Sequence, residues 1–522
     1  MRNRKWKRVL PYALVSLYVV LVLCQFLQIR YMQGNQKIMV QVQPNTGAVT
    51  FRGAMVDGTW YGASQVTVSA TGWTLQEEDD ILTNTAGNML ELKLPVGTER
   101  TLVFNVGPSE GIVDVSVGEN FLQWNLYREE TVNYGSSFQL PYMRFGNPVK
   151  LGIVALLVCV LLAAIMLMCN IIFEKRRPVD RVVPNRKNPA IEFFRFFISI
   201  SVVLHHFTDW APSGYLGVDF FFVVSGFFLM NHYSKDISAN KEPARAAVKY
   251  TKDRYFRLIS YYLLAFFLSL ILSVCLWEGR SIDSITDCFW ELLMLEGFGF
   301  AADLLVGAGW YCSALLIAGL FVYYLLAKYP KTYLYIMAPT SLLLIFSYML
   351  HNFGQLNRWT QFDTFISTGT LRGFAEMGLG CISYQVYDTL RSKNWGNKVI
   401  STILELVCFS YMAYIIFAAG PSHKDFVCVF AMAALIVSLF LGKSLWYELL
   451  NNRVSYFLGW ISIGIYLNHV VIMQRIPWHK VCSHFGLTWE IELLIYLVVV
   501  IAFSAISTRF VENVERALKQ HS

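Results

Sequence analysis

One apolar stretch, residues 192–230, contains four side chains that could take part in chemistry: Arg195, His205, His206 and Asp219. Charged groups at membrane depth cost roughly 2.5–3.5 kcal/mol each on insertion scales, so they are usually retained for function. Imidazole titrates near neutral pH and can act as a general base. A carboxylate next to an imidazole can accept its ring N–H and orient it. This stretch is therefore the first candidate for a reaction site.

The spacing of these residues places them on two helices. Arg195 and His206 are eleven positions apart, about three turns, so they share one face and lie roughly 16 Å apart along the axis. His205 points about 80° away from that face and is predicted to pack or to face the loop. Asp219 follows that loop, so the sequence predicts a catalytic pair in which Asp219 orients His206. The alternative is a polar contact that only joins two helices.

The composition indicates a polytopic membrane protein. The chain has 55% hydrophobic and 15% charged residues, whereas soluble proteins average about 25% charged. The net charge is +7, and the basic residues cluster beside apolar runs, which is typical of cytoplasmic loops. We find no nucleic-acid motif. The ten cysteines form no CxxC pair, so we expect no metal site.

The N-terminal third predicts an anchored β domain. Residues 1–30 contain the apolar run Val9–Ile29 and predict an uncleaved membrane anchor. Residues 31–147 alternate with a period of two between turn residues, which favours an extracytoplasmic, sandwich-like all-β domain. Residues 148–173 predict a return transmembrane helix, and 174–188 a basic cytoplasmic linker. Several aromatics are predicted as core or edge residues, with stacking on sugar rings as the alternative: Trp60, Tyr61, Trp73, Trp124 and Tyr127.

The remaining sequence predicts a ten-helix membrane core at residues 189–510 and a cytoplasmic tail at 511–522. With the two N-terminal helices this makes about twelve transmembrane helices, and both termini lie in the cytoplasm. The segment Ser284–Ala301 is also moderately apolar. Counting it as a span would move the basic loops after it to the outside, so we interpret it as interfacial or re-entrant.

The pattern of Arg195, ten residues, His206 and then GVDFFFVVSGF at residues 217–227 resembles the start of the core of membrane acyltransferase family 3. The resemblance extends from about Asn188 to the C-terminus. It implies an integral membrane O-acyltransferase that transfers an acyl group, most simply acetyl, from cytoplasmic acyl-CoA. The acceptor would be a hydroxyl of an extracytoplasmic polysaccharide or lipid-linked sugar. No GxSxG elbow is present, which disfavours a serine acyl-enzyme; direct transfer and an acyl-histidine both remain open.

The donor site is predicted from arginines at the cytoplasmic side. Arg254 and Arg257 are three residues apart at the start of a span and share a helical face, and they resemble the paired arginines of the family. A guanidinium suits the phosphates of acyl-CoA because it donates two hydrogen bonds in one plane. Ordinary flanking charge is the alternative. Arg195 is predicted to be another donor contact or an ion-pair partner inside the bundle.

Four further residues are predicted on the substrate side: Trp310, His469, Arg372 and Glu376. His469 resembles the family's Tyr-Leu-X-His and is interpreted as a secondary contact for the acceptor. Arg372 and Glu376, four residues apart inside a span, are predicted to pair with each other or with core groups. Trp310 begins a later span, where an interfacial aromatic is the alternative.

Two other classes of function fit a multi-pass protein of the cell membrane. A transporter or flippase of glycan or lipid would also carry buried charges, but we find no repeat between the halves of the sequence, as many transporters show. A ligand sensor whose core had lost activity would fit the β domain. The retention of His206 and Asp219 argues against that loss.

Overall fold

The computed structural model describes residues 4–34, 37–84, 88–97, 100–117, 120–130, 132–140, 147–175, 188–236, 242–276, 288–300, 304–358 and 366–520. The chain forms two compact units. One contains Met1–Ala155 with Leu270–Asp287, and the other contains Leu156–Ser269 with Cys288–Ser522. The predicted basic linker, 174–188, lies mostly outside the described residues.

The first unit contains two antiparallel sheets, which confirms the predicted all-β region. The described strands are β1 Ile38–Val42, β2 Val49–Val56, β3 Thr59–Gly62, β4 Thr67–Ser69, β5 Thr74–Gln76, β6 Ile81–Asn84, β7 Met89–Leu92, β8 Arg100–Val106, β9 Ile112–Val117, β10 Asn120–Asn125 and β11 Val132–Gln139. One sheet has the order β10-β9-β1-β7-β4, and the other has β11-β8-β2-β6-β5, with β3 also paired to β2.

The alternation of apolar residues explains why these strands pair. In β9, Val113, Val115 and Val117 are fully buried, while the residues that alternate with them are half-buried, as expected for a sheet with one face in a core. Trp73 is also buried, and Trp124 stacks on Phe138 with ring centres 4.9 Å apart. Both tryptophans therefore belong to the core or its edge.

The long helices carry the rest of the chain. We label them α1 Arg4–Gly34, α2 Pro148–Lys175, α3 Pro189–Phe207, α4 Gly217–Asp236, α5 Pro243–Cys275, α6 Trp310–Lys328, α7 Ala338–Phe353, α8 Thr368–Ser392, α9 Lys398–Tyr414, α10 Lys424–Leu441, α11 Arg453–Arg475 and α12 Trp489–Gln520. The shorter helices include Leu445–Leu450 and Trp478–His484.

Ten of the described helices are long and apolar enough to cross a membrane, which supports a multi-pass protein, whereas the count of twelve stays a prediction. The two predicted spans outside this set are in α1 and α8. In α1 the described apolar segment is only Leu14–Gln28. In α8 the charged residues Arg372 and Glu376 lie in the helix interior and lower its apolar character.

The predicted re-entrant segment Ser284–Ala301 is described only from residue 288 to 300. Residues 288–292 are helical, and a single 3₁₀ turn follows at Glu296–Phe298. The Glu291 carboxylate accepts hydrogen bonds from the backbone N–H groups of Leu305 and Val306, each at 2.7 Å. This bond pattern ties residue 291 to the chain just before α6.

A short connection between α3 and α4 fixes the end of α3 where His206 lies. Helix α3 begins at its cap, Asn188, whose side chain accepts from the backbone N–H of Ala190 at 3.0 Å. Beyond α3, the Tyr215 hydroxyl donates to Asp425, and the Ser213 N–H donates to the Ile416 carbonyl at 3.2 Å. These bonds join the α3–α4 connection to the region of α9 and α10.

Candidate active site

A cavity of about 390 Å³ lies among α3, α4, α5, α6, α11 and α12. Its lining includes Arg195, Arg254 and Arg257, the three residues that the sequence predicts for the donor. Arg195 belongs to α3, whereas Arg254 and Arg257 belong to α5, so the three line one cavity only in the folded protein. The cavity is thus cationic on one side and is lined elsewhere by aromatic and small side chains.

Arg254 is held in place by two hydrogen bonds and keeps a third donor free. Its guanidinium donates to the Ser225 Oγ at 2.7 Å and to the Tyr250 hydroxyl at 3.1 Å. Its Nε–H is buried and has no hydrogen-bond partner among the described residues. An unsatisfied buried donor is costly, so this N–H is suited to an anionic or carbonyl ligand in the cavity.

The other two arginines differ in their surroundings. Arg195 is paired with Glu192 of its own helix at 3.1 Å, so it is an ion-pair partner as well as a lining residue. Arg257 is exposed, and its Nε donates to the Asp253 carbonyl at 3.2 Å. Among the described residues, Arg254 and Arg257 are therefore the two of the three arginines that form no ion pair with a carboxylate.

Two carboxylates also line the cavity, Glu512 and Glu515 of α12. Glu512 accepts from the Trp460 indole N–H at 2.6 Å and from Arg516 at 2.8 Å. The net formal charge of the lining is therefore small. An anion would be recognised by the direction of individual guanidinium groups rather than by a general positive potential.

His206 is the accessible imidazole of the candidate site. It lies in the last turn of α3 and is exposed. Its ring centre is 5.3 Å from that of His205 and 5.3 Å from that of His469. Within the described part of the chain, no hydrogen bond reaches the His206 ring, so both of its nitrogens are available.

His205 has a different environment, as the sequence predicts. Its Nδ1–H donates to the Ala211 carbonyl at 2.9 Å, and its ring contacts Tyr215 with centres 5.4 Å apart. It therefore holds the connection between α3 and α4, while His206 remains free of it.

His469 is fully buried in α11. Its Nδ1 lies 2.7 Å from the Tyr466 carbonyl oxygen and 3.2 Å from that of Ile465. A carbonyl can only accept, so the Nδ1 carries the hydrogen and the Nε2 is the bare acceptor of the ring. That Nε2 is buried and has no hydrogen-bond partner in the described structure.

The structure gives Asp219 a partner other than His206. Both of its carboxylate oxygens accept from the Arg372 Nη2 at 2.7 Å, and the two side chains are buried, with 0% and 1% exposed. Arg372 also lies 3.9 Å from Glu376 and donates to the Leu356 carbonyl at 2.6 Å. The predicted Asp219–His206 hydrogen bond is not formed, because the nearer cation occupies the carboxylate.

A comparison with known families identifies the family of the helical core. Residues 188–509 match the family model described as an acyltransferase domain, more than half of the chain. The chain belongs to membrane acyltransferase family 3. The comparison with curated proteins finds no match to it.

The match to the acyltransferase domain coincides with the structural start of α3. It begins at Asn188, which caps α3, and ends within α12. His206, His469, the Asp219–Arg372 pair and the three lining arginines all fall inside it, whereas the lining residues Glu512 and Glu515 follow its last residue. The β strands lie outside it, so the acyltransferase part of this protein is the helical core.

The structure adds to the site two tyrosines that belong to the same motifs as the predicted residues Trp310 and His469. Tyr311 and Tyr466 both line the cavity, and their ring centres are 5.4 Å apart. The Tyr466 ring is also 5.9 Å from that of His469. Tyr311 is next to Trp310, which begins α6 and is half-buried. The signal for Tyr466 was its position three residues before His469, one helical turn away.

Proposed function

We propose that this family 3 acyltransferase transfers an acyl group, most simply acetyl, from cytoplasmic acyl-CoA to a hydroxyl. The acceptor is a polysaccharide or lipid-linked sugar on the other side of the membrane. The arginine-lined cavity binds the donor. His206 takes the hydroxyl proton, and the substrates are acyl-CoA and a glycan rather than a nucleic acid.

The observation that carries this proposal is the placement of Arg195 and His206 on one helix. Arg195 lines the cavity with Arg254 and Arg257, while His206 is exposed eleven residues further along α3. At 1.5 Å per residue, that interval is about 16 Å. A donor whose phosphates contact the arginines would therefore extend its acyl arm along α3 toward the imidazole.

The reaction needs one base and no covalent protein group. The hydroxyl proton moves to a ring nitrogen of His206 as the hydroxyl oxygen forms a bond to the thioester carbonyl carbon. The carbon–sulfur bond then breaks, and CoA leaves as a thiolate that takes up the proton held by the His206 imidazolium, which restores the neutral base. The products are an ester on the acceptor and free CoA. An acyl-histidine route would instead place the acyl group on His206 before the hydroxyl attacks.

The donor site is tested by binding kinetics in proteoliposomes with labelled acetyl-CoA. We expect Arg254→Ala to raise the KM for acetyl-CoA by about 10-fold or more, because a hydrogen bond to a charged group contributes about 1.5–3 kcal/mol. Arg391→Ala, which removes an exposed arginine at the end of α8, is the matched control. Equal KM values for both variants would show that the cavity does not bind the donor.

The base is tested by comparing two adjacent histidines in the same assay. We expect His206→Ala to abolish transfer of the label to a glycan and His205→Ala to retain it, because His205 is bonded to a backbone carbonyl. Loss of a general base typically costs about 10²–10⁴-fold in rate. Movement of an unmodified glycan or lipid across the membrane, with no release of CoA, would favour a transporter instead.

The β unit and the membrane orientation complete the proposal. The β unit lies outside the cytoplasm and positions the acceptor or a partner protein. Both chain termini lie in the cytoplasm of a cell whose inner or cytoplasmic membrane holds the protein. The support for this orientation is the clustering of Lys and Arg on alternate loops.

A further inference from the structure

We propose that His469 is the positioning residue of His206. In this arrangement its bare Nε2 accepts a hydrogen bond from a ring N–H of His206. The inference rests on the proposed function, since it assigns the group that orients the base. It replaces both the sequence-predicted role of Asp219 as that group and the role of His469 as a direct contact for the acceptor.

The first step of the argument is that the hydrogen on His469 has a fixed position. Two backbone carbonyls, of Tyr466 and Ile465, lie within 2.7 Å and 3.2 Å of its Nδ1. The neutral ring then presents its Nε2 as an acceptor only. Because the side chain is fully buried, bulk solvent does not reach the Nε2, and a buried acceptor without a donor is destabilising.

The second step is that His206 is placed to supply the donor. The two rings are tilted by 38°, and their centres are 5.3 Å apart. At this separation a nitrogen of each ring can come within about 3 Å of the other, the ordinary length of such a bond. In the proposed arrangement the exposed His206 side chain turns an N–H toward the Nε2.

The third step is that the other acids and bases nearby do not need a donor from His206. Asp219 is bonded to Arg372 through both oxygens. His205 also has its Nδ1 hydrogen fixed by the Ala211 carbonyl, but its side chain is only half-buried, so its Nε2 is not a buried acceptor in need of a donor. Within the described part of the chain, the His469 Nε2 is a buried acceptor without a partner, and its ring lies beside that of His206.

The consequence is a defined tautomer for the base. If one nitrogen of His206 donates to His469, the other nitrogen must be the bare one that takes the hydroxyl proton. When that proton arrives, the His206 N–H becomes a charge-assisted donor to the Nε2, and such bonds are roughly twice as strong. The acceptor on His469 would thus stabilise the charged state more than the resting state, which is the condition for a rate effect.

The hydrogen bond itself is tested without turnover. Protein labelled with ¹⁵N at its nine histidines would be examined by NMR in lipid nanodiscs, with His206→Ala and His469→Gln used to assign the signals. We expect His206 to show one tautomer, with a scalar coupling between its N–H and the His469 Nε2. A mixture of His206 tautomers that is unchanged in His469→Leu would overturn the inference.

The catalytic consequence is tested by kinetics on the same variants. We expect His469→Leu to lower kcat by about 10- to 100-fold, the range known for partners that orient metal-ligating histidines, with the KM for acetyl-CoA unchanged. His469→Gln retains an acceptor oxygen and should recover most of that loss, which a purely structural role would not explain. Equal kcat values in His469→Leu and wild type would show that His469 does not position His206.

The two proposals fail in different ways. If wild-type protein releases no CoA with any acceptor while NMR shows the coupled imidazoles, the acyltransferase proposal fails and the hydrogen bond stands. If wild type turns over but the imidazoles are not coupled and His469→Leu is fully active, the positioning proposal fails alone.

Discussion

At the scale of single residues, the Asp219–Arg372 pair carries the clearest prediction for stability. Arg372→Ala leaves the Asp219 carboxylate buried without its cation, since both side chains are at most 1% exposed. Breaking a buried pair in this way typically costs about 3–5 kcal/mol. We expect a lower midpoint in thermal unfolding, measured by tryptophan fluorescence in detergent.

The matched control removes both partners. Asp219→Leu combined with Arg372→Met replaces the ion pair with apolar groups, which is often neutral in similar buried sites. The double variant should therefore be more stable than Arg372→Ala alone. If the double variant is the less stable of the two, the carboxylate and guanidinium do not act as a unit.

Glu296 gives a second prediction at this scale, on pH. It lies outside the candidate spans, and burial raises its pKa from 4.5 to about 8, with the nearby Glu291 carboxylate adding to the effect. Between these values the unfolded state binds fewer protons than the folded state, so stability should fall as pH rises from about 5 to 8. Glu296→Gln should flatten this slope in unfolding curves recorded from pH 5 to 8.5. The exposed Glu77→Gln is the control, and equal slopes in both variants would exclude Glu296.

At the scale of helices, α4 and α8 approach each other through two glycines. A Cβ added at Gly226 would lie 2.0 Å from the Met377 carbonyl oxygen, and one added at Gly380 would lie 2.2 Å from that of Val223. Small residues allow such close helix contacts in membranes. This contact holds α4, which carries Asp219, close to α8, which carries Arg372. It therefore explains why a glycine, Gly226, follows Ser225 in the sequence pattern.

A single methyl group should therefore separate these helices. We expect Gly226→Ala to lower the yield of folded protein and its thermal midpoint, because the clash is with backbone. Gly319→Ala is the control, since its Cβ would meet its nearest neighbour, the Met377 side chain, at an ordinary 3.6 Å. Equal stability of the two variants would show that α4 and α8 can move apart without cost.

The sequence predicted the elements better than the contacts between them. Alternation in stretches such as IVDVSV identified strands, because that period is local. The three-residue spacing of Arg254 and Arg257 placed both beside one cavity for the same reason. The Asp219–Arg372 pair joins residues 153 positions apart, and no local period reports such a contact. The sequence instead predicts a pair of Asp219 with His206, because the two are predicted at the adjoining ends of neighbouring helices.

At the scale of the whole molecule, the orientation in the membrane is open to a direct test. Cysteine placed at Ser64, in the exposed part of the β unit, should react with a membrane-impermeant maleimide in intact cells, in a background without native cysteines. Cysteine at Lys393, exposed at the end of α8 beside further basic residues, should react only after the membrane is opened. The reverse pattern would invert the proposed topology.

The interval between Arg195 and His206 has a consequence for the choice of donor. A bilayer core is about 30 Å thick, and eleven residues of α3 cover about 16 Å, so the two residues are about half a membrane apart. The helix therefore sets the length that the donor needs. A donor bound at the arginines must carry its acyl group about 16 Å away from its phosphates. We predict that a compact donor such as acetyl phosphate gives no transfer, however tightly its phosphate is held. Transfer from it at the rate of acetyl-CoA would contradict this reading.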